Sequence, residues 1–279
     1  MRHDQPFIFI WIILIFSSCG NDPNSLSVIN SQSFLEKQIS LHFQSGQLMG
    51  VDSLLNEDRS GLSNEQHLVV NQIDKMLSMA EQIRKSPSNS LWVSLIRNWN
   101  EVNTNYFGTE KTPFATGSSL PDSLNSKILP EAIRKWTELN VNLVKLSGEV
   151  QFGDALEKIL YSKTSDFVSE KLIKSVIYTH VFDQIYVNII GASSVDYQHT
   201  TGGNVRIIQE TNYPQGYEMT LKSECNDLRY MDIFIRIPSW AINPSVTHGN
   251  VKYVAIPGEY CQISRKWEKG DEILVSLKN

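Results

Sequence analysis

Apolar residues recur at three- and four-residue steps from about residue 34 to residue 161, then at two-residue steps from about residue 184 to the end of the 279-residue chain. The first spacing lines one face of a helix and the second lines one face of a strand. In the first region Ser63-Asn64-Glu65-Gln66 has the Ser-x-x-Gln form of a capping box, and Val69, Ile73, Met76, Leu77, Ala80 and Ile83 follow on one face. This helix ends before Pro87. Ser90 is placed to cap a second helix, with Trp92, Leu95, Ile96, Trp99 and Val102 on a broad apolar face. Residues 107–129 are rich in Gly, Thr, Ser and Pro, and a connection of that length is either functional or an irregular remnant. Ala132, Trp136, Leu139, Leu143 and Leu146 line a third helix. Ser147-Gly148 ends it, and Phe152, Ala155, Leu156, Ile159 and Leu160 form the returning face of an αα-hairpin. Several such hairpins build either a bundle or part of an α/α toroid.

Beyond residue 184 the short runs "DQIYVNIIG", "NVRIIQE", "YEMTLKS", "MDIFIRIPSW", "YCQISRKW" and "DEILVSL" are separated by Gly, Asn, Pro and Asp. "TTGGN" at Thr200 reads as a hairpin turn rather than a phosphate loop, and Lys269-Gly270-Asp271 as a hairpin between the last two runs. Short strands at this density predict an antiparallel sandwich or barrel. The expected fold class is α+β and multidomain, with a helical region at 34–183 and a β-sandwich at 184–279.

Composition adds little beyond globularity: 41% of residues are hydrophobic and 20% charged, enough for a sizeable core. A net charge of -5 and the lack of any Lys/Arg-rich run exclude nucleic acid as an expected partner. The first residues change the picture more. Residues 7–16 are an unbroken apolar run behind Arg2, too short to cross a bilayer as a helix, and Ser17-Ser18-Cys19-Gly20 follows. This is the layout of an export signal over residues 1–19, and the small residues leading into Cys19 resemble a bacterial lipobox. That resemblance implies cleavage before Cys19 and a lipid on its thiol. The chain would then be a membrane-anchored lipoprotein on the periplasmic or cell-surface side, with the Asn/Ser-rich residues 20–33 as a flexible tether. A plain secretory signal with an incidental cysteine is the alternative. Of the chain's three cysteines, Cys225 and Cys261 remain, either bridged or separately buried, and a Cys-rich zinc site is not available.

Five phrases resemble glycoside hydrolase family 127, the β-L-arabinofuranosidase-like enzymes: "LSGEVQFGDALEKILY" (146–161), "IYVNIIGAS" (185–193), "VRIIQETNYP" (205–214), "FIRIPSWA" (234–241) and "GEYCQISRKWEKGDEILVSL" (258–277). "NWNEVNTNYFGTEKTPFATG" (98–117) resembles the family more loosely. The resemblance implies an α/α toroid followed by β-sandwich domains, and the helical region here is long enough for only part of that toroid. It also implies a zinc-bound cysteine nucleophile, a glutamate acid/base and further Cys and Glu ligands. The family's Glu-Thr-Cys motif falls on Leu129-Pro130-Glu131, its acid/base loop falls on "GSSLPDSLNSKI" (117–128), which has no glutamate, and no cysteine lies between Tyr161 and Tyr186. No catalytic residue carries over, and the family's zinc is not expected because its ligand motifs are absent.

Other constellations are weak. Glu131, Glu138, Glu149, Asp154 and Glu157 could supply a carboxylate pair, but their placement suits solvated helix faces and first turns. The histidines at 3, 42, 67, 180, 199 and 248 form no ligand spacing. Among Trp136, Tyr213, Tyr217, Trp240, Tyr260 and Trp267, the pair Tyr213 and Tyr217, beside Pro214 and Gly216, suits a loop where rings could stack on sugar. The reading is a degenerate, carbohydrate-associated lipoprotein of pseudoenzyme type, with a dimer or partner covering the truncated toroid. An active β-L-arabinofuranosidase-like glycosidase acting on arabinose-containing glycans, and an unstable gene remnant, are the alternatives.

Overall fold

The computed structural model describes residues 64–108, 130–161 and 167–278. The signal, Cys19, the tether, the Ser63 cap and most of the 107–129 connection lie outside the described residues.

Five helices come first: α1 (Asn64–Lys85), α2 (Asn89–Val102), α3 (Pro130–Ser147), α4 (Val150–Leu160) and α5 (Glu170–Ile177), with a π-helical turn, Asn103–Phe107, extending α2. The predicted apolar faces are the buried ones. Val69, Ile73, Met76, Ala80 and Ile83 of α1 meet Leu95, Trp99 and Val102 of α2 and the face of α3 carrying Ala132, Trp136, Leu139 and Leu143. The cap of α2 is Ser88 rather than Ser90, with its hydroxyl accepting from the Leu91 amide at 3.4 Å. Aromatic rings fill the centre: Trp136 stacks on Phe107 at 4.6 Å and on Trp99 at 5.4 Å, while Phe152 meets Trp99 edge-on at 5.2 Å. Asn140, fully buried on α3, accepts from the Trp99 indole at 2.9 Å, so the polar group sits in the core satisfied. The α3–α4 hairpin turns at Gly148 with φ +67, the left-handed conformation that the sequence reading required there. Leu68 on α1 and Val93 on α2 are among the few large apolar side chains that the described helices leave exposed.

α5 runs directly into β1 (Tyr178–Val181), followed by β2 (Gln184–Val187), β3 (Ser193–Gln198), β4 (Asn204–Thr211), β5 (Glu218–Cys225), β6 (Arg229–Arg236), β7 (Ser245–His248), β8 (Val251–Tyr253), β9 (Tyr260–Trp267) and β10 (Glu272–Ser276). They form two sheets, ordered β1-β2-β6-β9 and β3-β4-β5-β10-β7-β8. β2 runs parallel to β6, and every other strand pair is antiparallel. Ile185, Val187, Met231, Ile233, Ile235 and Ile263 of the first sheet face Val195, Ile207, Leu221, Val246, Ile273 and Val275 of the second, in a core continuous with that of the helices.

Two expectations change, and of the two readings of the cysteines one holds. β1 starts ahead of the change of period, because its four residues follow the helix without a break and are too few to show an alternation of their own. Lys269-Gly270-Asp271 is a turn but not a hairpin: β9 pairs with β6 in one sheet, β10 pairs with β5 and β7 in the other, and the turn arches between them. Alternation buries the same residues either way, so the pattern could not separate the two. Cys225 and Cys261 are both free and buried. The Cys225 thiol lies 3.3 Å from the Trp267 carbonyl, at the opposite end of β9 from Cys261, which puts the cysteines about 20 Å apart by the rise of a strand and out of bridging range.

At one end of the sandwich Asp183, in the β1–β2 turn, accepts from the Thr200 amide at 3.0 Å, the Thr200 hydroxyl and the Tyr197 phenol, joining that turn to the β3–β4 hairpin. Burial pushes its carboxyl upward, and these donors, with His199 nearby, outweigh burial and hold it below its usual value. A depressed folded pKa adds stability above the unfolded value, near about 3.9, that is lost as pH falls through the folded one. Asp183→Asn is therefore expected to cost about 1 kcal/mol at neutral pH. In urea titrations at a series of pH values, the gap between wild type and variant should start to close below about pH 5 and go on closing below about pH 3.9, as the folded carboxyl takes up its proton.

Candidate functional site

Three element ends border the segments where the family resemblance would put a site. The π-helical turn after α2 leads to Gly108, whose carbonyl accepts from Lys158 of α4 at 2.7 Å. α3 opens at Pro130, and Glu131 in its first turn lies 3.5 Å from Lys135. Tyr161, closing α4, donates to the Ile190 carbonyl at 2.5 Å. Lys135 also reaches across to α1, where its ammonium meets Asp74 at 2.5 Å, and none of these ends carries a thiol. The cysteines of the described residues are elsewhere, inside the sandwich, and burial pushes the Cys261 thiol up to about 11, away from thiolate character. Among the described residues no three of His, Cys, Asp and Glu converge in a way that could hold a metal ion. The donor set present does not fit a cysteine-ligated zinc.

The strongest concentration of charge is deeper, where α4 meets the sandwich. Arg236, fully buried on β6, pairs with Asp154 and Glu157 of α4 and donates through Nε to the Asn188 carbonyl at 2.5 Å. Glu157, also fully buried, accepts from the Ile190 amide at 2.8 Å and the Tyr213 phenol at 3.1 Å. Asp154 takes the Ser239 amide at 3.1 Å, and the Asn188 side chain accepts from Tyr260 at 2.7 Å and donates to the Val176 carbonyl at 2.9 Å. Gly153 lets the helix approach, since a Cβ there would stand 2.7 Å from Arg236 Cδ. Burial drives the Glu157 carboxyl upward, opposed by Arg236 and the Ile190 amide. Arg236 is held above its usual range because its two carboxylates outweigh the burial that lowers it. Burial, reinforced by the Glu157 charge, lifts the Tyr161 and Tyr213 phenols well above theirs, so both stay protonated donors.

This geometry cannot run acid/base hydrolysis. Both carboxylates serve one guanidinium, and neither Glu157 nor Arg236 touches solvent. The cluster binds helix to sandwich, and Asp154 and Glu157 are not on a solvated helix face as their sequence context suggested. The i,i+3 pair directly after Gly153, together with an arginine in the otherwise apolar "IFIRIP" strand, was the available signal. Tyr213 is corrected too. It is fully buried, stacked on Trp240 at 6.1 Å with Tyr161 edge-on at 5.2 Å, and presents no ring face to a sugar. Tyr217 is partly buried against Trp240, with the Lys278 ammonium 5.2 Å above its ring. Trp136, Trp240 and Trp267 are core, and Tyr260 belongs to the cluster.

Removing one member of a buried ion pair strands the other charge. Arg236→Leu is expected to lose about 3–5 kcal/mol, and Arg236→Leu with Glu157→Leu to recover part of that loss, measured by urea unfolding.

A family model described as beta-L-arabinofuranosidase, GH127 middle domain, matches residues 184–279. Solved structures share the fold more widely. One described as a glycoside hydrolase superposes with a TM-score of 0.60 at 17% identity, over 87% of this chain and 52% of that one. Ara127N-Se, a GH127 beta-L-arabinofuranosidase from Geobacillus stearothermophilus T6, gives 0.56 at 18% identity over 86% and 51%. The GH127 beta-arabinofuranosidase BT3674 gives 0.56 at 16% identity over 90% and 52%. No curated protein matches the chain. The chain spans about half the length of these solved enzymes. Residues 184–279 thus match the GH127 middle-domain model, and the fold of the described chain is similar to that of the solved GH127 enzymes.

Proposed function

We propose that this chain is a carbohydrate-associated GH127 relative without the family's hydrolase activity, held at a membrane by a lipid on Cys19. The observation that carries the reading is where its thiols are. The sequence has three cysteines. Cys225 and Cys261 are sealed in the sandwich, and Cys19 sits in the lipobox-like segment. A metal-activated cysteine nucleophile needs a low-pKa thiolate at an accessible site. The first turn of α3 and the end of α4 carry Glu131, Lys158 and Tyr161, and no thiol.

The retained scaffold supports an inherited association with sugar rather than a new chemistry. Metal analysis of the purified chain, with an aryl β-L-arabinofuranoside as substrate, is expected to find neither stoichiometric zinc nor turnover. Zinc at one equivalent together with turnover would overturn the reading. The anchor has its own test: the chain expressed in a bacterium should partition with membranes and incorporate labelled fatty acid, and Cys19→Ala should abolish both. Labelling that survives Cys19→Ala would remove the lipobox assignment.

A further inference from the structure

We infer that the outer face of the four-stranded sheet is a platform for a neutral polysaccharide. This rests on the carbohydrate-associated reading above and assigns it a surface. The strand register sets the outward side chains in rows. Tyr230 lies opposite Lys266, Asp232 lies between Gln184 and Ser264, and Phe234 lies between Tyr186 and Gln262. Phe182 lies in the β1–β2 turn with φ +52, and the Asp232 amide bonds the carbonyl of the next turn residue, Asp183, at 3.0 Å, so this turn borders the end of the face where Tyr230 lies. Both rings are open: Phe182 is 68% exposed and Tyr230 55%. Four residues further along β6, about 13 Å at the rise of a strand, Phe234 stacks on Tyr186 at 4.5 Å, with Tyr260 edge-on to Tyr186 at 5.7 Å. Beyond that pair α4 closes the face over Arg236.

Between the two aromatic ends lie groups that bond hydroxyls: Gln184, Asp232, Gln262 and Ser264. The Asp232 carboxylate is short of donors. Its Oδ1 has no hydrogen-bond partner, and its Oδ2 takes the Gln184 amide at the long distance of 3.5 Å. A carboxylate accepts up to about four hydrogen bonds, and an unfilled one in a half-buried site is costly. Oδ1 is sealed from solvent, so Oδ2, with its one long bond, is the carboxylate atom left for a sugar hydroxyl, and the apolar CH face of a sugar ring is what exposed aromatic rings accept.

The opposite outer face shows what a solvent face looks like in this protein. There Asp196 pairs with Arg206, and Lys222 with Glu210 and Glu272, so its charges are already matched across strands. On the proposed platform Asp232, Lys266 and the buried Arg236 are the outward charges of the four strands, which suits a neutral chain rather than an acidic or basic one.

The test is affinity gel electrophoresis of the purified chain in a panel of neutral polysaccharides, arabinan among them, with an acidic polysaccharide alongside. The variants are Phe182→Ala with Tyr230→Ala, Asp232→Asn alone, and Leu274→Ala, which removes a side chain that is 55% exposed on the other sheet. Wild type and Leu274→Ala should be retarded by at least one neutral polysaccharide. The double aromatic variant, with an unchanged melting temperature, should bind at least tenfold more weakly, and Asp232→Asn should weaken binding without altering far-UV circular dichroism. Retardation that survives both face variants overturns the platform and leaves the carbohydrate reading standing. Binding to the acidic polysaccharide alone overturns the platform's chemistry, and a wild-type chain retarded by nothing overturns platform and carbohydrate reading together.

Discussion

A guanidinium removed from water needs its charge and its donors answered from fixed directions, and Arg236 obtains those answers from both halves of the molecule. Asp154 and Glu157 come from α4, and the Asn188 carbonyl from the segment after β2. Each partner is held in turn: Glu157 by the Ile190 amide and Tyr213, Asp154 by the Ser239 amide, Asn188 by Tyr260 and the Val176 carbonyl. The network touches α4, the end of α5, β6, β9, the link after β2 and the loop after β4. Desolvating such a group is expensive, so the arrangement persists because these supports are present together. Gly153 and the packing of the α3–α4 hairpin follow from it.

Much of the fold was legible because burial follows spacing. The faces of α1 to α4, the turn at Gly148 and all six apolar strand segments came directly from the period of apolar residues. What stayed hidden had physical reasons. β1 is four residues that continue directly from a helix, and β7 and β8 are too short and polar to show a period. The β9–β10 arch and a hairpin bury identical residues, so alternation is silent about which strand each one pairs with. The Arg236 network was the largest omission. A charged residue in a helix is usually solvated, and only tertiary packing reveals that Asp154 and Glu157 meet an arginine eighty-two and seventy-nine positions away in sequence. Tyr213 misled for a related reason: its Pro and Gly neighbours signalled a loop, but its ring and hydroxyl point into the core.

The residues that hold this architecture together do so by packing and charge alone. The aromatic core of Phe107, Trp99, Trp136 and Phe152 and the Arg236 network hold the helices against the sandwich, and none of these groups needs a metal or a nucleophile to do so. The fold by itself therefore says little about catalysis.

An apolar junction would have been the cheaper way to join helix to sheet, and that bears on why an ion network occupies this one. Leucine against leucine tolerates sliding and rotation, because dispersion and burial are nearly indifferent to direction. A guanidinium fork is not. Its donors point along set lines in one plane, and here they find two carboxylates three residues apart on a helix and one backbone carbonyl. Turning α4 by one residue, about 100° around its axis, would swing both carboxylates out of reach and drive a bulkier side chain into the space that Gly153 leaves for Arg236. The network therefore admits one docking of the helical layer on the sandwich. That same docking fixes where α4 closes the outer face of the four-stranded sheet, so the lock at Arg236 and the shape of the open face beyond it are set by one geometry.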